Sequence, residues 1–180
     1  LGFFQGFDLE NPDPGVMDFE GISVDADGGF YLASESRHRI LKVTRDGNAS
    51  WSTPNLKSHA GDAGLFAKHN AGLEGICWMG PGHWVLAAER EPRGLMEIRQ
   101  VGEHISVIAQ ALQEDRFAGW LPFWRIPDFS GLFHHAGTTY ALYRNAHLIV
   151  SVTKTETGWD VGRTAWSYGE WEQDRSEERR

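Results

Sequence analysis

The chain has 180 residues, 41% of them apolar, and 17 Lys and Arg against 25 Asp and Glu give a formal net charge of −8. That length supports one domain with a substantial core and not two ordinary ones; the acidic balance argues against a nucleic-acid binder with a basic face. No run of 18 apolar residues is present to span a membrane, and the single cysteine, Cys77, rules out an internal disulfide or a cysteine-based zinc site. Twenty-one Gly and 8 Trp, with short apolar runs between them, point to an all-β protein with many turns. The first residue is Leu1 and no signal peptide is visible, so a processed chain, a trimmed chain and a fragment stand as alternatives.

In chain order, the first unit opens at Asp18 with DFEGISVDADGGFYLASESRHRILKVTRDG. Its strands, predicted over 19–25 and 30–36, flank Asp27-Gly28, a two-residue hairpin signal. A third strand over 39–44 ends in the Arg45–Asn48 turn cluster, and a fourth lies near 49–53. The segment Asn55–Asn70, with Gly61, Gly64, His59 and His69, reads as a long loop of the functional kind. The second unit opens at Gly72 and turns at Pro81-Gly82 and again over Glu91–Gly94. After it, Ala109, Ala111 and Leu112 have helical spacing, predicting a short helix over Ile108–Phe117 that decorates a loop. The third unit opens at Asp128 and turns around Gly137 and Asn145; residues 174–180 form a solvated charge run.

These three units share one plan. Glu20 recurs as Glu74 after 54 residues and as Ser130 after a further 56; Glu35 recurs as Glu89 after 54 and as Arg144 after 55. Four antiparallel strands per 40–55 residues mark a propeller blade, and a β-sandwich is the competing architecture. The fold expected is all-β: a partial β-propeller of about three to three and a half blades, with units near 16–56, 70–112 and 126–168.

Hairpin register then makes a chemical statement. Two-residue turns at Asp27-Gly28 and Pro81-Gly82 place Glu20 opposite Glu35 and Glu74 opposite Glu89. An odd-length turn centred on Gly137 places Ser130 opposite Arg144. Like charges opposite one another destabilise a sheet, so something nearby must offset them. In a propeller these positions ring one mouth of the channel, where Asp18, Asp128 and Asn70 also belong. Three arrangements would hold the ring: a hard cation such as Ca²⁺ or Mg²⁺, pairing with Arg37, Arg90 or Arg144, or one carboxyl of each pair kept protonated.

Other chemistry is thinly represented. No Gly-x-Ser-x-Gly elbow and no phosphate-cradling Gly loop occurs. His134-His135 falls on the face away from the carboxylates. His59 and His69, in the long loop, are candidates for acid–base work over the mouth. Trp51, Trp78 and Trp84 read as sheet core, whereas Trp120 and Trp124, in GWLPFW, sit in a loop. Cys77 reads as a small buried apolar residue.

The stretches DFEGISVDADGGFYLASE, HNAGLEGICW and VLAAERE resemble the phytase-like, esterase-like β-propeller family. The matching motifs are Asp18–Ile22, Ser34-Glu35 and Asn70–Gly75. The resemblance implies a bacterial, exported protein, periplasmic or secreted, with a calcium-rich phytase-type propeller as a distant relative. Ser130 and Arg144 depart from the acidic pattern, and three units do not close a ring that needs four to eight blades. Tyr168–Glu172 looks like the start of a further blade, so a truncated chain is expected, and an open blade edge invites self-association. Two functions are carried forward. One is a divalent-metal-dependent hydrolase of phosphoesters, esters or lactones. In it Glu20, Glu35, Glu74 and Glu89 hold Ca²⁺ or Mg²⁺, and Asp18, Asn70, Asp128 and Arg144 line the substrate side; Arg144 takes an anionic group, and no nucleophile or base is identified. The other is a non-catalytic binding or scaffold propeller of the cell envelope, with structural carboxylates.

Overall fold

The computed structural model describes residues 17–69, 71–112 and 128–168. They form three four-stranded antiparallel sheets, each a meander in sequence order. Blade 1 comprises β1 (Phe19–Val24), β2 (Phe30–Ser34), β3 (Arg39–Val43) and β4 (Ala49–Trp51). Blade 2 comprises β5 (Leu73–Gly80), β6 (His83–Ala88), β7 (Gly94–Val101) and β8 (His104–Ala111). Blade 3 comprises β9 (Gly131–His135), β10 (Thr138–Tyr143), β11 (Leu148–Thr155) and β12 (Gly158–Ser167). One short helix, α1 (Lys57–Ala60), and a 3₁₀ turn, Gly61–Ala63, lie in the connection between blades 1 and 2. Among the described residues no helix is long and apolar enough to cross a membrane.

Blade 2 is sandwiched between its neighbours, which explains its uninterrupted apolar β6. Side chains alternate along a strand. Trp84, Leu86 and Ala88 therefore pack toward blade 1 with Tyr31, Ala33 and Ile40, while Val85 and Ala87 pack toward blade 3 with Phe129, Ala141 and Tyr143. Each large side chain so buried contributes roughly 1.5–3 kcal/mol. Leu56, Leu65 and Phe66 of the connecting segment cap the first of these clusters.

The glycine of each unit's opening motif has a packing reason. A β-carbon on Gly21 would lie 3.1 Å from the Gly75 α-carbon, and one on Gly75 would lie 3.1 Å from the Gly131 α-carbon. The innermost strands β1, β5 and β9 thus meet backbone to backbone at the hub, which only glycine allows.

Several local expectations change. The first hairpin is a three-residue loop, Ala26-Asp27-Gly28: Asp25 N–H donates to the Gly29 carbonyl (2.9 Å), and Gly28 adopts φ +81°. The Asp25 carboxylate accepts from the N–H groups of Asp27 (3.0 Å) and Gly29 (2.7 Å), which selects a type I turn closed by a left-handed glycine over the two-residue alternative. The third hairpin has two loop residues, Ala136-Gly137, both at positive φ. β4 stops at Trp51. The expected helix over Ile108–Phe117 is replaced by strand β8 as far as Ala111, because Ile105, Val107, Ala109 and Ala111 all turn toward the core at period two. Residues 113–117, Trp120, Trp124, Asn70 and the tail lie outside the described residues.

Candidate functional site

The facing carboxylate pairs do not form as the simple register has it. In β1 the pairing jumps from Phe19↔Ser34 to Gly21↔Ala33, leaving Glu20 in a bulge. In β5 it jumps from Leu73↔Ala88 to Gly75↔Ala87, leaving Glu74 in a bulge. Glu35 and Glu89 follow the last residues of β2 and β6. A bulge re-aims its extra side chain and often sits beside a functional site; here it relieves the direct opposition of like charges. In blade 3 the ladder ends at Gly131↔Leu142, and Arg144 opens a 3₁₀ turn and does not face Ser130 across the ladder.

The acids nevertheless converge on one mouth of the channel. Asp18, Glu20 and Glu35 place a carboxylate oxygen each within 4.8 Å of one another. The Asp18 carbonyl accepts the Glu35 N–H (2.8 Å), and the equivalent Gly72 carbonyl accepts the Glu89 N–H (3.0 Å), so the same backbone closure carries both glutamates. Glu35 also accepts the Gly72 N–H on Oε1 at 2.8 Å, tying blade 1 to blade 2. Across the mouth, Arg144 donates to Asp128 (2.9 Å) and to Glu89 (3.4 Å), and Glu89 pairs with Arg90. The Asn145 N–H completes Asp128 at 2.9 Å.

Glu74 links the two groups electrostatically. Burial first, and then the neighbouring Glu89, Glu20 and Glu35 against the pull of Arg144, push its carboxyl up to about 7. It is 8% exposed, and Arg144 is the positive charge that works against the rise. Glu20 is raised by burial, then by Asp18 and Glu35. Glu89 is raised too, by burial first, with Asp128 and Glu35 adding to it against Arg90 and Arg144. Burial lowers the Arg144 pKa, but Asp128, Glu74 and Glu89 more than restore it. Among the described residues, six carboxyls therefore share this mouth with the guanidinium groups of Arg90 and Arg144.

Beside the Asp18–Glu20–Glu35 cluster a cavity of about 340 Å³ opens beneath the connecting segment, lined by Asp18, Glu35, His38, Lys57, Phe66 and His69 among others. Its size falls in the range of small-molecule sites. One wall is acidic and the other basic or imidazole; burial and then Lys57 lower the His38 pKa, which keeps that ring neutral at pH 7. His69 thus reaches the cavity and His59 does not line it. His38, in the turn between β2 and β3, carried no signal at all, and Lys57 was marked only by the length of the connecting segment. At the opposite end of the channel a second cavity, about 450 Å³, is bounded by Ile22, Val24, Trp78, Met79, Leu132 and His134 among others. Cys77 is buried, and burial pushes its thiol up to about 12.

One buried carboxylate away from the mouth escaped the sequence reading. Glu97 of β7 is approached by His83 (3.0 Å), by Arg99 (2.9 Å) and by Lys154 of β11. Burial opposes its charge, but the hydrogen bonds and the positive charges of Lys154 and Arg99 together outweigh burial and hold its pKa low. It ties blade 2 to blade 3 and lies apart from the mouth.

Radial four-stranded sheets meeting at a glycine hub, with carboxylates gathered at one channel mouth, define a β-propeller. The SdiA-regulated family profile matches residues 10–163, and the chain belongs to that family. No curated protein matches the sequence significantly. Among solved structures, virginiamycin B lyase from Staphylococcus aureus is similar at 14% identity and a TM-score of 0.50, over 85% of this chain and 42% of that one. The PQQ-bound aldose sugar dehydrogenase from Streptomyces coelicolor is similar at 11% identity and a TM-score of 0.51, over 77% of this chain and 45% of that one. These likenesses carry the propeller fold alone, and the match spans less than half the length of either structure.

Proposed function

We propose that the acidic mouth holds a divalent cation and serves a hydrolase of small phosphoesters, esters or lactones, as the phytase-like resemblance of the Asp18–Ile22 segment implies. The observation that carries this reading is the cluster of Asp18, Glu20 and Glu35 oxygens within 4.8 Å, facing a Glu74 pushed up to about 7. Three carboxylates in that space suit a hard, oxygen-seeking ion. When bound, Ca²⁺ or Mg²⁺ supplies Lewis acidity toward the substrate oxygen. Glu74, close to half protonated at neutral pH, takes the proton of the attacking water and returns it to the leaving oxygen as the ester bond breaks. Arg144, and Lys57 across the cavity, offer positive charge to an anionic substrate group.

The test is turnover of p-nitrophenyl phosphate, p-nitrophenyl acetate and a γ-lactone after EDTA treatment and again with Ca²⁺ or Mg²⁺. Cation-dependent turnover that falls roughly 100-fold or more in Glu74→Gln is the expected outcome. One observation favours the alternative scaffold reading: Glu35 and Glu89 both serve contacts between blades, through the Gly72 N–H and Arg144 respectively. Absence of turnover on every substrate, with the fold intact, would leave that reading standing.

A further inference from the structure

We propose that Cys77, Met79 and His134 form a site for one soft monovalent metal ion, Cu(I) by its chemistry, where blades 2 and 3 meet at the end of the channel opposite the acidic mouth. All three line the cavity of about 450 Å³ there. Cys77 and Met79 stand two apart on β5, and the β5–β6 ladder shifts between Trp78 and Gly80, leaving Met79 in a bulge. A bulge re-aims its extra side chain. The Met79 sulfur lies 3.7 Å from Cys77 Sγ, which donates its S–H to it. Metal–sulfur bonds of about 2.3 Å span that 3.7 Å separation at an angle of about 107°, near the tetrahedral value. One ion therefore bridges the two sulfurs with little movement of either.

The third ligand comes from blade 3. Blades 1 and 2 show the register: a β-carbon on Gly21 would lie 3.0 Å from the Ile76 nitrogen, and Ser23 Oγ accepts the Trp78 N–H at 2.8 Å. Blades 2 and 3 repeat it, since a β-carbon on Gly75 would lie 2.9 Å from the Leu132 nitrogen. By the repeat, Cys77 takes the place of Ser23 and His134 the place of Trp78, which sets the thiol beside His134. The His134 ring bonds the buried Thr139 hydroxyl through Nδ1 at 3.0 Å. A partner on one ring nitrogen fixes the ring and leaves the other for a metal; Nε2 is the ligand atom here.

Charge and softness select the ion. Burial pushes the Cys77 thiol up to about 12, so the free site is neutral. Cu(I) displaces the thiol proton into solvent as it binds, and the resulting Cu(I)–thiolate pair is again neutral. A divalent ion would leave a net positive charge against the apolar walls of Ile22, Val24, Leu132 and Phe133. Asp25, which also borders this cavity, is held by the Asp27 and Gly29 N–H groups. Thiolate and thioether together favour Cu(I). Met79 and His134 are half-buried and meet an entering ion before the buried Cys77 does. The site shares no residue with the acidic mouth, and it stands or falls apart from the hydrolase reading.

The whole chain is titrated anaerobically with Cu(I) against the chelator bathocuproine disulfonate. One equivalent per chain should be withheld from the chelator, with two sulfur and one nitrogen neighbour in copper X-ray absorption. Cys77→Ser should lose that binding and keep the fold, since blade 1 carries Ser23 at the same place. Met79→Leu conserves volume and reads the site should Cys77→Ser fail to fold. Met79→Leu, His134→Phe and the positioning variant Thr139→Val should each weaken Cu(I) binding about 10-fold or more. A wild type that yields all its Cu(I) to the chelator overturns the proposal, as does binding that survives Cys77→Ser. Affinity indifferent to Met79→Leu or to His134→Phe, or displacement of Cu(I) by equimolar Zn²⁺, overturns it too.

Discussion

Glu74 is the residue on which the chemistry of the mouth turns, and its behaviour with pH is specific. Its folded-state pKa of about 7 lies above the ordinary 4.5, so the folded form favours the protonated acid. That contribution is complete below 4.5 and is lost as pH rises through 7. The melting temperature of cation-free protein is therefore expected to fall between pH 4.5 and 7.5 more steeply than in Glu74→Gln. At pH 8 the variant should melt higher than the wild type; parallel curves would remove Glu74 from the account. The sequence made this residue legible through its 54-residue recurrence from Glu20. What the sequence hid was its orientation. A bulge adds one residue to a strand without altering composition or alternation beyond it, so the register read from turns paired Glu74 with Glu89 across the ladder, whereas the chain buckles at Glu74 and turns it into the mouth.

At the scale of the element, the opening strands are built around their glycines. A β-carbon on Gly75 would lie 2.9 Å from the Leu132 nitrogen and 3.0 Å from the Gly131 carbonyl carbon, both backbone atoms that cannot rotate aside. Gly75→Ala should cost about 2–3 kcal/mol in denaturant unfolding. Gly47→Ala, at φ +89° with nothing within 4 Å, should cost only about 1 kcal/mol of backbone strain. Equal costs would mean that the hub contact is slack. The strands and most turns were readable because alternation and Gly/Asp clusters act locally. β8 was not, because Ala109, Ala111 and Leu112 fit a helical stripe as well as a strand, and only the neighbouring core decides. The Asp25 turn failed for a similar reason: Asp-Gly signals a hairpin, but the Asp25 side chain sets the loop length.

The whole molecule is a set of radial blades whose inner strands bring distant acids to one place. Asp18, Glu20 and Glu35 come from blade 1, Glu74 and Glu89 from blade 2, and Asp128 and Arg144 from blade 3. Repeat spacing made that convergence readable before any coordinates; the division into a tight acidic trio and an arginine-bridged pair was not, since it depends on side-chain reach. The account rests on the trio binding a divalent cation, and thermal melting of EDTA-treated protein tests this most directly. Near-saturating Ca²⁺ or Mg²⁺ should raise the wild-type melting temperature by about 5–10 °C. Glu20→Gln, relieved of repulsion from Asp18 and Glu35, should start higher and gain little. A wild type indifferent to EDTA, Ca²⁺ and Mg²⁺, with Glu20→Gln more stable under every condition, would contradict the account and leave the carboxylates as structure alone.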